Sequence, residues 1–382
     1  MTSCAIEKPD VRAWAPGRIE IAGNHVDHQG GRVIAAAIDR GIEVRVRRNS
    51  TGTVSLSSEG FDDVHVRLDD LAPRGNERQT TQALVRGVLA GCAAAGIPLE
   101  GFDAQAISTL PAGGGLSSSA AFELALAAAV CGLSGSIPDP IVLARIGQAA
   151  ERGFFGKPCG LMDQMASVCG GMTLMDFENE AAPRFERIDC DLTAMGLAAC
   201  IVDVGAGHGA LAGSYARIPD DMAGVARLLG AERLRDVDED DLLSNLDAIR
   251  EEAGDLAVLR ALHFFNEMRL VDERTETLRA GDAQSFLEAT RRSAASSAQL
   301  LQNIDAPGEA QPTMMALALA DLFLGRRGAA RIHGGGFGGS IEAFVPATEA
   351  EAFSRHMERH IGLGCCTIAR ICTEGAGAVA LE

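Results

Sequence analysis

Basic residues are in short supply: 34 Lys and Arg stand against 52 Asp and Glu, a formal charge of −18. Such a chain repels the phosphates of DNA and RNA and the anionic face of a membrane, so neither is an expected partner. No C-x-x-C pair occurs among the ten cysteines, which are scattered from Cys4 to Cys372. Met1 to Asp10 carries Glu7, Lys8, Pro9 and Asp10 and does not read as a secretory leader. Both features point to reduced thiols in a cytoplasmic protein. No apolar run reaches the roughly 18–20 residues of a membrane helix, and Ala125–Val130 reads as the middle of a buried one. The Walker A pattern Gly-x-x-x-x-Gly-Lys-Ser/Thr is also missing, which excludes the P-loop way of holding a nucleotide. An acidic total does not exclude a nucleotide site, which works through local N–H groups, one or two cations and Mg2+.

What is present is enough apolar material for a sizeable core: 47% of 382 residues are hydrophobic, which suits two domains or one large one. The first hundred residues alternate turns with β-type runs at 18–22, 32–38, 42–47, 53–56 and 64–68. A helical spacing over 82–95 follows, then a strand at 104–108, giving an antiparallel sheet backed by helices. Residues 120–133 are apolar on nearly every side, the mark of a helix buried on most faces. Another helix fits 141–152, and the turn-rich stretch 153–160 leads to Leu161-Met-Asp-Gln-Met. Strands are expected at 172–177 and 199–203, and 178–184 between them reads equally as a weak boundary, dividing the chain into 1–180 and 181–382, or as a loop within one domain. Charged helices are expected at 218–230, 240–252, 256–280 and 283–293. A strand, a glycine turn and a strand then span 330–345, followed by a helix at 348–362.

Four segments carry candidate chemistry. Gly113, Gly114 and Gly115, followed by Leu116, Ser117, Ser118 and Ser119, place glycines and serines where a helix begins, an arrangement that suits an anion and equally suits a flexible turn with a serine N-cap. Arg18 lies on a strand that ends in Gly23-Asn-His-Val-Asp-His-Gln-Gly-Gly31, where Asn24, His25, Asp27 and His28 can hold the hydroxyls of a polar ligand or form a solvated turn. Glu151 and Asp163 sit among glycines and apolar residues, where an acid is paired with a cation, does chemistry, or serves as an N-cap. Gly334–Gly339 formally matches Gly-x-Gly-x-x-Gly, but a strand follows it where a dinucleotide site needs a helix, so a structural hairpin reads better.

Read together, Ala15–His28, Pro111–Ala121, Cys159–Gln164 and Gly334–Gly339 stand in an order that resembles the galactokinase branch of the GHMP small-molecule kinases. The resemblance spans most of the chain. It implies an α+β, two-lobed fold with mixed and antiparallel sheets backed by helices and an active site between the lobes. It also implies an ATP-dependent sugar 1-kinase that converts α-D-galactose to galactose 1-phosphate. Asp163 matches the family's catalytic base and Arg18 the group that stabilises the transferred phosphoryl. Gly113–Ser119 matches the ATP phosphate loop, and Ser119 with Glu151 matches the Mg2+ ligands. Asn24, His25, Asp27, Gly160 and Tyr215, the only tyrosine in the chain, match positions that contact the sugar.

Two departures bear on the substrate. Galactokinases usually carry Glu-His-Thr-Asp-Tyr where this chain has Asn24-His-Val-Asp-His28, and Asn where it has Glu20. Neutral Asn24 removes a charge that would repel a C6 carboxylate, and Asp27–Gly31 also resembles galacturonokinases, so galacturonate is the competing sugar. A non-catalytic sugar sensor is the alternative of another class, opposed by the presence of the serine run, Glu151, Arg18 and Asp163.

Overall fold

The computed structural model describes residues 6, 8–111, 114–157, 159–205, 212–305 and 310–381, with the side chains of 212–216 outside the description. Two sheets organise it. The larger has the order β12-β1-β2-β5-β3-β4, built from β1 (Val11–Ala22), β2 (Arg32–Arg48), β3 (Thr53–Ser58), β4 (Val64–Arg67), β5 (Phe102–Ser108) and β12 (Gly377–Ala380). On it β6 (Met172–Asp176) pairs with β2, and β7 (Arg184–Ile188) with β6. Its pairings are antiparallel apart from β3 with β5, so it is a mixed sheet. The smaller sheet, β11-β8-β10-β9, is antiparallel and formed by β8 (Leu197–Asp203), β9 (Ala329–His333), β10 (Ser340–Pro346) and β11 (Cys366–Ala369). The expected α+β architecture with mixed and antiparallel sheets is thus observed. Strands from both sides of residue 180 share the larger sheet, through β7 and β12.

The sequence suggests two strands at 32–38 and 42–47, but β2 runs unbroken through Gly41. A Cβ at that position would lie 2.2 Å from the Ala15 carbonyl oxygen, so only glycine lets β2 stay against β1 there. The first half of β2 pairs with β6 and its second half with β5. Behind the sheet lie α1 (Thr81–Ala94), α2 (Ser118–Ser134), α3 (Pro140–Ala149) and α4 (Met162–Cys169). Thr80 Oγ1 accepts from Ala83 N–H to start α1, and Asp139 Oδ1 from Ile141 N–H to start α3. α2 packs on β1 and β2, with Leu124, Ala125 and Leu126 fully buried, as its all-round apolar sequence requires.

The second half supplies α5 (Ala212–Leu228), α6 (Glu239–Ser244), α7 (Leu246–Ala253), α8 (Asp255–Ala280), α9 (Ala283–Ser296), α10 (Pro312–Leu324) and α11 (Ala350–His360). The single helix expected at 240–252 is broken at Asn245, which caps α6 and opens α7. A second core of Val202, Ile332, Ile341, Phe353 and Met357 lies under the smaller sheet. Among the described residues no helix is long and apolar enough to cross a membrane, and the nine described cysteines are free thiols.

Candidate active site

β1 carries Arg18 inward, where its side chain is 7% exposed. A bulge in the β1–β2 register between Pro16 and Arg18 turns the strand there, and Arg18 N–H donates to the Leu116 carbonyl. The guanidinium then spans two segments: Nε donates to Asp163 Oδ1 at 2.8 Å and Nη1 to the Gly115 carbonyl at 2.9 Å. Asp163 stands in the first turn of α4, and its other oxygen accepts from Ser117 Oγ at 2.8 Å. Burial alone would raise this carboxyl, but the charge of Arg18, aided by Lys157 and Ser117, overrides it and holds Asp163 below the ordinary aspartate range. Asp163 is therefore ionised at neutral pH and fixed in orientation at both oxygens.

The glycine-serine loop is arranged around this pair. Ser117 is the N-cap of α2 in left-handed conformation, with φ of 57°, and spends its hydroxyl on Asp163 rather than on the helix end. Gly115 has φ of 68°, and a Cβ there would come within 2.5 Å of Ser340 Oγ, so the loop presses directly on the start of β10. Leu116 is buried and holds Arg18 through its carbonyl, Ser118 is exposed, and Gly113 lies outside the described residues. Ser119 Oγ donates to Glu151 Oε1 at 3.0 Å. Glu151 is buried on a π-helical turn, Ala150–Phe155, that follows α3, and it also accepts from Lys157 Nζ at 2.9 Å and Gln164 Nε2 at 3.1 Å. A hydroxyl and a carboxylate meeting at 3.0 Å are hard oxygen donors of the type Mg2+ takes, so this corner fits that ion.

The turn after β1 forms the other end of a cleft lined by Arg18, Glu20, Asn24, His25, Asp27, Lys157, Cys159, Gly160, Met162, Asp163, Gly334 and Gly335. Gly160 is there for a steric reason: a Cβ would lie 2.2 Å from Asp27 Oδ2. Burial and the neighbouring Glu20 raise Asp27 to about 6. Burial lowers His25 to about 4, so it is neutral, and its Nε2 donates to the Gly335 carbonyl at 2.8 Å. Asn24 is already committed. Its amide NH2 donates to Glu20 Oε1 at 3.1 Å and to the Gly334 carbonyl at 2.6 Å, while its Oδ1 accepts from Asn303 Nδ2 at 2.9 Å.

The Gly334–Gly339 turn therefore serves the cleft through its carbonyls, and the strand after it, β10, agrees with the hairpin reading. The structure brings together Arg18, Asp163, Asn24, His25, Asp27 and Gly160 along the cleft, with Ser117, Ser119 and Glu151 adjoining. Tyr215 falls on α5, and its side chain lies outside the described residues. The sequence reading gave no role to Gln164, which joins Glu151 to the buried Glu123, or to Lys157. Their only signal was position, beside Asp163 and within the stretch that carries Glu151.

The chain is similar to known proteins over most of its length. Residues 5–48 match the galactokinase galactose-binding signature, and residues 83–171 the GHMP kinases N terminal domain. A Streptomyces coelicolor galactokinase is 35% identical over 352 residues, covering 90% of this chain and 87% of its own. The Homo sapiens galactokinase is 32% identical over 371 residues, covering 93% and 88%. The structure of Lactococcus lactis galactokinase complexed with galactose superimposes with a TM-score of 0.82 at 22% identity, over 97% of this chain and 95% of that one. A mevalonate kinase does so at 0.68 and 16% identity, over 95% and 99%, which shows the shared fold.

Proposed function

The chain belongs to the galactokinase family of GHMP kinases, and on that premise we propose that it transfers the γ-phosphoryl of ATP to the anomeric hydroxyl of α-D-galactose, giving galactose 1-phosphate and ADP. The observation that carries the reading is the Arg18–Asp163 pair, 2.8 Å apart, with Ser117 on the second carboxylate oxygen and the Ser119–Glu151 corner beside it. Phosphoryl transfer is mostly positioning and charge neutralisation. Asp163 accepts the proton of the anomeric hydroxyl at whichever oxygen faces it. Because Arg18 keeps this carboxylate a weak base, the proton moves as the new P–O bond forms. Arg18 meets the charge that develops on the transferred group. The nucleotide phosphates lie on 113–119, with Ser119 and Glu151 as the residues that would hold Mg2+. When bound, that ion neutralises charge on the phosphates.

At the sugar end Asp27 and His25 take hydroxyls, and Gly160 leaves room for the ring. A neutral hydroxymethyl at C6 fits better than a carboxylate, because Glu20 already brings a carboxylate to this wall and Asn24 spends its amide protons on Glu20 and Gly334. Residues 1–180 supply the base, the arginine and the phosphate loop, and 181–382 supply the glycine turn. Free thiols suit a reducing cytoplasm. The test is ADP release with Mg-ATP and a panel of galactose, galacturonate and N-acetylgalactosamine: galactose should give the highest kcat/KM, and silence with all three would refute the reading. Asp163→Ala should lose at least about 10³-fold in kcat while binding ATP as before, whereas a sensor would have little turnover to lose.

A further inference from the structure

Lys157 is one of two lysines in a chain with 32 arginines, and the other, Lys8, precedes β1. Its place is set by the backbone. Gly156, with φ of 90°, turns the chain out of the π-helical segment, so that Lys157 N–H donates to the Glu151 carbonyl at 3.1 Å. The side chain then folds back onto the same residue, with Nζ 2.9 Å from Glu151 Oε1. That oxygen is also the acceptor of Ser119 Oγ. Lys157 is 55% exposed and borders the cleft beside Arg18 and Asp163, near enough for the ammonium and the Asp163 carboxylate to stabilise one another's charge.

The two cations differ in freedom. Arg18 is 7% exposed and bound to Asp163 and Gly115 at once, so it is immobile and much of its charge answers Asp163. Lys157 ends in a compact ammonium on a four-carbon stem, with three donors that change partner by bond rotation. Arg18 and Lys157 balance Asp163 and Glu151 charge for charge, and a triphosphate adds several negative charges to this corner.

We propose that Lys157 is a second catalytic cation of the transfer site, exchanging the Glu151 carboxylate for the terminal phosphate of the nucleotide. No proton moves in this exchange: the ammonium keeps its three N–H bonds and trades one anionic acceptor for another. For its reaction the proposal rests on the sugar-kinase reading, but its nucleotide contact is measurable without any sugar.

The experiment is calorimetric titration of the full chain with ATP and with ADP at fixed Mg2+, in wild type, Lys157→Met, Lys157→Gln and Lys157→Arg, with thermal unfolding and steady-state kinetics alongside. Lys157→Met and Lys157→Gln should lose about tenfold in the ratio of ATP to ADP affinity. Their kcat should fall by about 10- to 100-fold, with the KM for galactose within about twofold of wild type. Lys157→Arg, which keeps the charge, should recover most of the ratio. An unchanged ratio in a folded Met or Gln variant overturns the proposal, as does equal weakening of ATP and ADP. If wild type turns over no sugar, the proposed reaction fails, yet the affinity ratio still decides the role of Lys157.

Discussion

At the scale of single residues, the proposed sugar end of the cleft depends on a missing methyl group and an unusual acid. Gly160 faces Asp27 Oδ2 so closely that the Cβ of Gly160→Ala would lie 2.2 Å from it, and one of the two must move. With Asp27 in its proposed role of holding the sugar, displacement of its carboxylate by about an ångström should cost on the order of 10²-fold in kcat/KM for galactose, with the KM for ATP nearly unchanged, as initial rates would show. Asp27 itself, raised to about 6 by burial and Glu20, is ionised above that pH and neutral below it. In the proposed sugar contact the ionised form accepts from two hydroxyls, so kcat/KM for galactose at saturating Mg-ATP should fall as pH drops through about 6. Asp163, held low by Arg18 against burial, stays charged throughout this window. A pH profile that stays flat from 7.5 down to about 5 would assign the sugar contact elsewhere.

At the scale of elements, the glycine turn between β9 and β10 is a clamp. Gly336 has φ of 80°, and a Cβ there would come 2.0 Å from the Asn303 carbonyl oxygen, which also accepts from Phe337 N–H at 2.7 Å. Gly336→Ala should therefore push the turn off Asn303 and, through the Gly334 and Gly335 carbonyls, loosen Asn24 and His25. We expect a stability loss of about 1–3 kcal/mol in thermal unfolding and a KM for galactose several-fold higher. Apolar patterning located α1, α2, β5 and β10, whose burial explains it, and α8 was legible as a charged helical segment. Patterning failed at β2, where Gly41 permits a strand that composition reads as a turn, and it gave no sign of α4, whose eight residues are too few to show a period. Arg18 and Asp163 were legible as motif residues, yet their pairing depends on contacts 145 positions apart. Asn24 shows the limit. Its departure from the family pattern was visible, but its commitment to Glu20, the other departure, exists only in three dimensions.

At the scale of the molecule, the two sheets are joined through buried charge. Arg331, fully buried on β9, donates to Glu20 Oε1 at 2.9 Å and to the Glu20 carbonyl at 3.2 Å, and lies 3.6 Å from Glu342 on β10. Glu342, pushed up to about 8 by burial, is largely protonated at neutral pH, so Glu20 is the charge that Arg331 chiefly answers. Arg331→Met should strand it, lowering unfolding stability by about 3–5 kcal/mol in urea titration, and should lower activity as well, because Glu20 orients Asn24. At the outer edge of the larger sheet, β12 pairs with β1, Val11 opposite Ala380 and Trp14 opposite Gly377. β1, which carries Arg18, is synthesised long before β12, its outer neighbour in the sheet. Until β12 has been made, that edge of β1 stands open to mispairing in the nascent chain, a hazard that a chaperone would cover at the strand bearing Arg18.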